Sequence, residues 1–195
     1  MTLVMEDGTR TRILDAALSL FVAEGFAATR TGDICKRAGI SNGSLFHFFP
    51  TKEAIAVALY VEAIASYQSA LIAALERGST PAAALRGIVT AQCAWVQNEE
   101  QRARFLFAQG APDWSPEAAA AVGALNSRFR DSIEIWRALP AQRRVLRKLT
   151  FETFTAILLG PSLMSIRQWL RAGSVGPANQ VNIFADAAVR SLLKE

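Results

Sequence analysis

The sequence predicts an all-α protein, and three observations support that prediction. Alanine, the strongest helix former, accounts for 35 of the 195 residues, against 12 glycines and 7 prolines. Apolar residues recur at helical spacing along the chain, and glycine and proline separate the resulting segments. Hydrophobic residues make up 51% of the chain and charged residues 19%, which is enough apolar material for a packed core. We therefore expect a globular protein built from packed helices.

Nine helices are predicted, at residues 10–24, 32–38, 42–49, 52–76, 81–98, 101–108, 116–138, 141–172 and 178–194. The first is followed by Gly25, which suits the left-handed conformation that ends many helices. Ser41 and Thr51 are placed to cap the third and fourth helices. Gly160-Pro161 lies inside the eighth, where apolar periodicity continues on both sides, so we expect a kink there. Residues 1–9 are predicted to form a flexible arm.

Composition excludes several classes of protein. Cys35 and Cys93 lie far apart and form no CxxC pair, so neither a disulfide scaffold nor a thiolate metal site is supported. Any histidine-based catalytic or metal site would have to be built around His47, the single histidine. The first residues lack the apolar core of a signal peptide, and no apolar run reaches the ~18 residues of a membrane span. We expect a cytoplasmic protein with no metal, cofactor or membrane partner.

The charge of the chain is basic but unevenly distributed. The formal net charge is +4, and such a surplus favours a nucleic-acid partner only where the cations are suitably placed. Residues 1–60 are electrically balanced, whereas residues 137–148 hold five cations and no acid. These cations are Arg137, Arg143, Arg144, Arg147 and Lys148. The basic run is interpreted as a solvated loop and helix start, or as a helix end whose cations neutralise the last-turn carbonyls.

Residues 31–49 have the segment lengths of a helix-turn-helix, with the turn around Gly39-Ile40. Thr29 or Thr31 is expected to cap the first of the two helices. The second helix of such a motif lies in the major groove of DNA. It must therefore be apolar on the side that faces the protein and small or polar on the other.

The third predicted helix has those two faces. Leu45 and Phe49 form its apolar ridge, and Ile34 and Phe21 are the expected partners. The opposite face comprises Asn42, Gly43, Phe46 and His47. A glycine on this face would let the backbone come close to DNA.

Residues 10–60 resemble the DNA-binding domain of the TetR (tetracycline-repressor) family of transcriptional regulators. The landmarks are Ala16-Ala17, Phe21, Gly25-Phe26, Ile34, Ala38-Gly39-Ile40-Ser41, Gly43-Ser44-Leu45, Phe49 and Lys52-Glu53. They cover about a quarter of the chain, and so long an ordered run is far more specific than a bare helix-turn-helix pattern. The resemblance implies a DNA-binding domain at residues 10–56 and a helical effector-binding and dimerisation domain at residues 57–195.

The resemblance also implies roles for individual residues. Contacts with base edges or with the adjacent DNA backbone are expected at Asn42, Gly43 and His47. Phosphates are expected to be held at Thr31, Ser41 and Lys52. Further contacts at the same surface are expected from Arg30, Gly32, Ser44 and Phe46.

The sequence departs from the family pattern at Phe46 and Phe48, where the family often has tyrosine. Without a hydroxyl, neither ring can donate to a phosphate. Phe46 is suited instead to touch a thymine methyl group, and His47 is then the main side-chain donor. The alternative for His47 is that its side chain is exposed to solvent and makes no base contact. For Phe48 the favoured interpretation is packing against the first or fourth helix.

Residues 57–195 contain no motif that specifies chemistry. Aromatic and amide side chains in this region are interpreted as the lining of an apolar effector pocket. The candidates are Tyr67, Gln92, Trp95, Phe107, Trp114, Phe129 and Phe154. For each aromatic residue taken singly, plain core packing is the favoured interpretation. It is also the favoured one for Cys93, which is otherwise a candidate redox sensor.

The resemblance further implies that the last two long helices pack against those of a second copy as a four-helix bundle. On that expectation the dimer interface comprises Phe151, Leu158, Ile166, Val181, Phe184, Ala188 and Leu192. The alternative is that these residues form an apolar stripe that packs in the core of a single chain. A dimer is independently attractive, because one recognition helix covers too few bases for useful specificity.

Together these features predict a homodimeric repressor that binds a palindromic double-stranded DNA operator and is released by a small-molecule effector. The competing hypothesis is a DNA-binding protein without an effector or a sequence preference. A true operator would be favoured over other DNA by ~10³-fold or more, whereas binding by the competitor would not depend on sequence. An enzyme is disfavoured, since the sequence shows no nucleophile paired with a base and no metal-ligand set.

Overall fold

The computed structural model describes residues 2–107, 116–172 and 176–194. Within these ranges the secondary structure is helical, apart from one bridged pair of residues. The α-helices are α1 (Thr2–Glu24), α2 (Thr31–Ala38), α3 (Asn42–Phe48), α4 (Lys52–Arg77), α5 (Pro81–Asn98), α6 (Glu100–Phe107), α7 (Pro116–Ala138), α8 (Pro140–Val145), α9 (Phe151–Ala172) and α10 (Val181–Leu192). A 3-10 turn, Pro177–Gln180, directly precedes α10. The predicted all-α class is confirmed.

Several helix ends are set by local sequence, as predicted. Gly25 and Gly39 adopt left-handed φ angles of 87° and 66°, directly after α1 and α2. The Ser41 and Thr51 hydroxyls each accept a hydrogen bond, at 3.1 Å, from the backbone N–H three residues on. These bonds satisfy amides at the starts of α3 and α4 that have no partner within the helix.

Two helix starts differ from the prediction. α1 begins at Thr2, so most of the expected flexible arm is helical, because Gly8 alone does not stop a helix. No threonine caps α2: Arg30 takes the cap position and makes no side-chain hydrogen bond there. The buried Thr29 hydroxyl donates instead to the Gly25 carbonyl, at 2.9 Å. That bond closes the turn before α2.

The predicted helix over residues 141–172 is two helices, α8 and α9, joined by an extended segment. Leu146 is buried and forms an antiparallel bridge with Leu193. The Arg147 N–H donates to the Leu192 carbonyl at 2.9 Å, and the Lys194 N–H donates to the Val145 carbonyl at 2.8 Å. This pairing with the C-terminal segment replaces helical hydrogen bonds. α9 itself runs through Pro161 without ending.

The chain divides into two compact units. Unit 1 comprises Met1–Ala63 and Gln101–Ala119, and unit 2 comprises Ile64–Glu100 and Ala120–Glu195. The division falls within α4, and it groups α6 with the N-terminal helices. The sequence analysis had placed every residue beyond 56 in the second domain.

The core of unit 1 joins α1 to α4 with α6. Its most deeply buried side chains are Ile13, Ala17, Phe21, Ile34, Leu45 and Ile55. The rings of Phe21 and Phe105 stack with their centroids 6.0 Å apart, which brings α6 into this core. Leu45 and Phe49 of α3 lie in the same core as Ile34 and Phe21, which agrees with the sequence prediction.

The core of unit 2 is built from α4, α5, α7, α9 and α10. Its most deeply buried large side chains are Leu71, Leu75, Leu85, Ile88, Ile133, Phe154, Leu158 and Leu192. α10 packs on α5, and Arg86 and Asp186 form a salt bridge across that pair. Both charged groups are partly exposed, so the salt bridge adds little to the free energy of unfolding.

By length and composition α4 is apolar enough to cross a membrane, although no sequence run suggested a span. Its residues Ile55, Leu59, Leu71 and Leu75 are nevertheless buried within the two units. The core helix of a globular protein has the same composition, which accounts for its hydropathy.

Candidate nucleic-acid interface

The turn between α2 and α3 sets the direction of both helices. Gly39 has φ 66° and ψ 42°, a backbone conformation that L side chains rarely adopt. The Ile40 N–H donates to the Cys35 carbonyl at 3.1 Å, which ties the turn to α2. Ser41 then caps α3. The result is the pair of short helices that the sequence predicts.

α3 has one buried face and one exposed face. Leu45 is fully buried and Phe49 is 5% exposed, and both pack in the core of unit 1. The opposite face exposes Asn42, Gly43, Phe46 and His47. Phe46 is 48% exposed, which leaves an apolar ring in contact with water beside two polar side chains. This burial pattern matches the two predicted faces.

The rings at the end of α3 have different environments. His47 meets Phe48 edge to face, with ring centroids 5.3 Å apart, and its side chain stays exposed. Phe48 is partly buried and packs against the core of unit 1. The packing interpretation of Phe48 is therefore confirmed.

Gly43 lies where the protein itself does not need a glycine. A Cβ atom added there would meet only the Ser41 hydroxyl, at 3.9 Å, which is ordinary contact. The backbone around Gly43 is therefore open to solvent, and a second molecule can approach it closely.

Cys35 makes a contact with this face that sequence reasoning missed. Its thiol donates to the Asn42 side-chain oxygen Oδ1, with 3.1 Å between sulfur and oxygen. Burial raises the pKa of the Cys35 thiol, so the sulfur keeps the proton that it donates. The Asn42 oxygen is thereby turned inward, which directs its NH₂ group away from α2. The sequence analysis considered Cys35 only as a candidate for a disulfide or a thiolate metal site.

Lys52 is held by the protein in a way that the phosphate assignment did not anticipate. Its ammonium donates to the carbonyls of Phe26 and Thr29, at 2.7 and 3.0 Å, and lies 4.3 Å from the centroid of the Phe26 ring. These contacts occupy two of its three hydrogens. These contacts brace the turn before α2 and leave one hydrogen of the ammonium for another partner.

The remaining predicted DNA-contacting residues flank the exposed face of α3. Arg30, Gly32 and Ser41 are exposed, whereas Thr31 and Ser44 are half-buried. The Ser44 N–H is engaged by the Ser41 cap. All of these residues lie at or near the starts of α2 and α3.

In unit 2 the structure brings three of the predicted pocket residues together. Gln92 is fully buried and donates to the Tyr67 hydroxyl oxygen at 2.9 Å. Ser162 donates to the other end of the Gln92 amide, at 2.5 Å. Trp95 meets the Tyr67 ring edge to face and donates to the Ser66 hydroxyl at 3.1 Å. We call Ser66, Tyr67, Gln92, Trp95 and Ser162 the polar cluster.

Burial sets the chemistry of this cluster. It raises the pKa of Tyr67, although the hydrogen bond from Gln92 opposes that shift. Burial also raises the pKa of the neighbouring Cys93 thiol to about 11, so that thiol stays protonated near neutral pH. Cys93 is 2% exposed, which agrees with its interpretation as a small core residue. Nothing in the sequence singles out Ser66 or Ser162, since serine is common on helices.

The other predicted pocket residues do not join the polar cluster. Phe154 is fully buried in the core of unit 2, with the Arg137 guanidinium 4.6 Å from its ring centroid. Phe129 is half-buried and packs against the same core. Phe107 belongs to unit 1, and Trp114 lies outside the described residues.

The predicted dimer interface needs correction. Leu158, Ile166, Ala188 and Leu192 are at most 2% exposed in the single chain, so they have no surface to offer a second copy. Phe151, Val181 and Phe184 are only half-buried. The apolar stripes of α9 and α10 face the core of their own unit, which is the alternative weighed above.

Comparison with known proteins points to one family for the N-terminal region. Residues 13–59 match the family model described as bacterial regulatory proteins, tetR family. The HTH-type transcriptional repressor KstR2 of Rhodococcus jostii is 46% identical over 50 residues, which make up 26% of this chain and 24% of that protein. The match thus spans about a quarter of the length of this curated relative.

Solved structures are similar over nearly the whole chain. The TetR family regulator PfmR of Thermus thermophilus is 25% identical, with a TM-score of 0.72 and coverage of 92% of this chain and 97% of that one. A tetR family protein from Rhodococcus RHA1 has a TM-score of 0.80 at 21% identity, covering 96% and 98%. The matched region contains the whole helix-turn-helix, and the fold agrees beyond it. Residues 13–59 are therefore similar to the tetR family of bacterial regulatory proteins, and the fold of the chain is similar to that of solved TetR family regulators.

Proposed function

We propose that the protein is a cytoplasmic transcriptional repressor that binds a two-fold symmetric DNA operator as a homodimer and is released by a small molecule. The exposed face of α3 carries the DNA-binding part of this proposal. Asn42 and His47 offer polar groups for base edges, and Phe46 offers an apolar ring for a thymine methyl group. Leu45 and Phe49 anchor the opposite face, so the reading side chains stand on a rigid helix.

The phosphate contacts are proposed at the residues that surround this face. They are Arg30, Thr31, Gly32, Ser41 and Ser44. Contacts of this kind fix the register of a protein on DNA and leave sequence preference to the base contacts. Lys52 contributes indirectly, since its bonds to the Phe26 and Thr29 carbonyls hold the turn that leads into α2.

For the homodimer we propose an interface on the outer faces of α9 and α10. Met164 and Ile183 are 58% and 64% exposed, which is unusual for large apolar side chains. Ile183, Ala187 and Ser191 follow one another every four residues and share one face of α10. Ala156, Pro161, Ala187 and Ser191 line a groove between the two helices, where small side chains permit close packing. This surface replaces the buried stripe expected from the sequence.

The proposed effector site is the polar cluster. Its polar groups hydrogen-bond to one another inside an apolar core, so a ligand with both a donor and an acceptor can take over those bonds. A ligand that binds one arrangement of the dimer more tightly than the other shifts the equilibrium toward that arrangement. The resulting change in the free energy of DNA binding is typically ~1–3 kcal/mol. The protein leaves the operator when, in the arrangement that the ligand prefers, the two α3 helices no longer fit adjacent major grooves.

Selection of bound fragments from genomic DNA by the purified full chain tests the proposal. We expect enrichment of a short palindrome whose half-sites are about 10 base pairs apart or a multiple of that. Uniform recovery of all fragments would favour a DNA-binding protein without sequence preference. An enriched site without dyad symmetry would contradict the homodimer.

A further inference from the structure

An open cavity in unit 2 lies between the end of α7, the short helix α8 and the extended segment that follows α8. Its volume is about 250 Å³, which is below the ~300–1,000 Å³ of sites for drug-sized ligands. The described lining consists of Glu134, Arg137, Ala138, Arg143, Leu146, Arg147 and Lys148. Four of these residues are basic and one is acidic, so the lining has a formal charge of +3. All but one of the cations of the basic run thus line a single concave site.

The acidic residue of this lining is already paired. Arg137 donates through Nη1 to Glu134 Oε1, at 2.7 Å, and through Nη2 to the Leu149 carbonyl, at 2.5 Å. The Arg137 guanidinium also lies 4.6 Å from the centroid of the Phe154 ring, and its side chain is only 12% exposed. Arg137 is therefore held in place by the protein, and it takes up the charge of Glu134. The other cations of the lining gain nothing from that acid.

These other three cations have no counter-charge within the described part of the chain. Arg143 and Lys148 are exposed and form neither an ion pair nor a side-chain hydrogen bond there, so their long side chains are free to turn toward a ligand. Arg147 is also exposed, and only its Nε is engaged, by donation to the Leu193 carbonyl at 3.1 Å. Both terminal NH₂ groups of its guanidinium remain available. Such a pair of groups binds a phosphate or a carboxylate through two parallel hydrogen bonds.

The backbone that carries Arg147 is fixed by the C-terminal segment. Leu146 is buried and bridged to Leu193, and the Arg147 N–H donates to the Leu192 carbonyl at 2.9 Å. At the end of α8 the Lys194 ammonium donates to the Arg144 carbonyl, at 2.9 Å. A cation from outside the basic run thus neutralises this helix end. The exposed cations of the cavity are left for another partner.

From these observations we infer that the cavity binds a compact organic polyanion that carries phosphate or carboxylate groups. Basic side chains without a counter-charge attract such a molecule, and its charge relieves the repulsion among them. Arg147 supplies the paired hydrogen bonds, while Arg143 and Lys148 pair with further acidic groups of the ligand. The concave shape and small volume favour a compact ligand over the extended backbone of a nucleic acid. The inference does not depend on DNA binding.

Calorimetric titration of the full chain near neutral pH and at low ionic strength tests this inference. The probes are 3-phosphoglycerate and citrate, which each carry about three negative charges. The matched probe is glycerate, which lacks the phosphate and carries a single charge. We expect saturable binding of at least one of the two trianions, roughly tenfold or more tighter than binding of glycerate and weaker when salt is added. Absence of binding by both trianions, or an equal affinity for glycerate, would overturn the inference.

Two double variants of equal charge locate the bound anion. Arg143→Gln/Lys148→Gln removes two exposed cations that form no bond in the described part of the chain, so the fold should stay intact. We expect its affinity for the trianion to fall by roughly tenfold or more. Arg77→Gln/Arg171→Gln removes the same charge from exposed sites outside the described lining and should lower that affinity by less than about twofold. Equal losses in the two variants, or no loss in the cavity variant, would contradict the inference.

DNA phosphates are the competing partner for these cations. Affinity for a scrambled duplex should be the same in the cavity variant and in the control variant. If the duplex affinity falls only in the cavity variant while trianion binding is unchanged, the cations hold DNA instead and the inference is overturned.

Discussion

Lys52 braces the turn that leads into α2, beside the proposed DNA-binding surface. Its ammonium binds two carbonyls of the turn before α2 and lies over the Phe26 ring. Replacing Lys52 by methionine keeps the apolar stem and removes the charge. We expect the free energy of unfolding in urea to fall by about 1–2 kcal/mol, the typical cost of losing such charge-assisted bonds at a half-buried site.

The matched control for this prediction is Lys36→Met, which removes an exposed ammonium from α2. Its free energy of unfolding should stay within about 0.5 kcal/mol of wild type. A Lys52→Met protein of unchanged stability, with lower DNA affinity and a flatter salt dependence, would show that Lys52 holds a phosphate instead.

Cys35 is expected to influence base preference through Asn42. Its thiol binds the Asn42 oxygen and leaves the NH₂ group facing outward, toward base acceptors. Cys35→Ala should let the amide rotate, and so reduce discrimination at one base position by a factor of about 5. Cys35→Ser keeps a hydrogen-bond donor at this position and should retain most of the discrimination. Competition among single-base operator variants measures the effect, and equal profiles for all three proteins would refute it.

At the scale of helices, we expect the outer face of α10 to decide whether two copies associate. Ile183 is largely exposed, so Ile183→Glu should leave the fold of the single chain intact. Sedimentation should then show a monomer, with operator affinity reduced at least tenfold because only one half-site can be held at a time. Val145→Glu, at an exposed apolar site outside α9 and α10, is the control and should remain dimeric. An Ile183→Glu dimer would rule out the proposed interface.

Helices whose ends depend on neighbouring residues were predictable from the sequence. Glycine directly follows α1 and α2, and a hydroxyl cap marks the starts of α3 and α4. The break between α8 and α9 was not predictable, because Leu146 leaves the helix to pair with Leu193, far along the chain. Helical spacing likewise cannot tell a stripe that faces its own core from one that faces a second copy. For that reason Leu158 and Leu192 were assigned to a dimer interface.

At the scale of the whole molecule, the N-terminal and C-terminal regions differ in how much the sequence reveals. The proposed DNA-reading face follows from a few residues close together in the chain, with Leu45 and Phe49 buried and Asn42 and His47 exposed. The polar cluster depends on contacts between α4, α5 and α9, so Tyr67 and Gln92 were recognised but Ser162 was not. Long-range contacts leave no periodic pattern in a sequence.

The central claim is that the exposed face of α3 reads a specific DNA sequence. Competition binding at fixed salt tests it most directly, with the selected operator set against a scrambled duplex of equal composition. Wild type should prefer the operator by ~10³-fold or more. The double variant Asn42→Ala/His47→Ala, if as helical as wild type, should lose most of this preference and keep its affinity for the scrambled duplex. A double variant that retains the wild-type preference would contradict the claim.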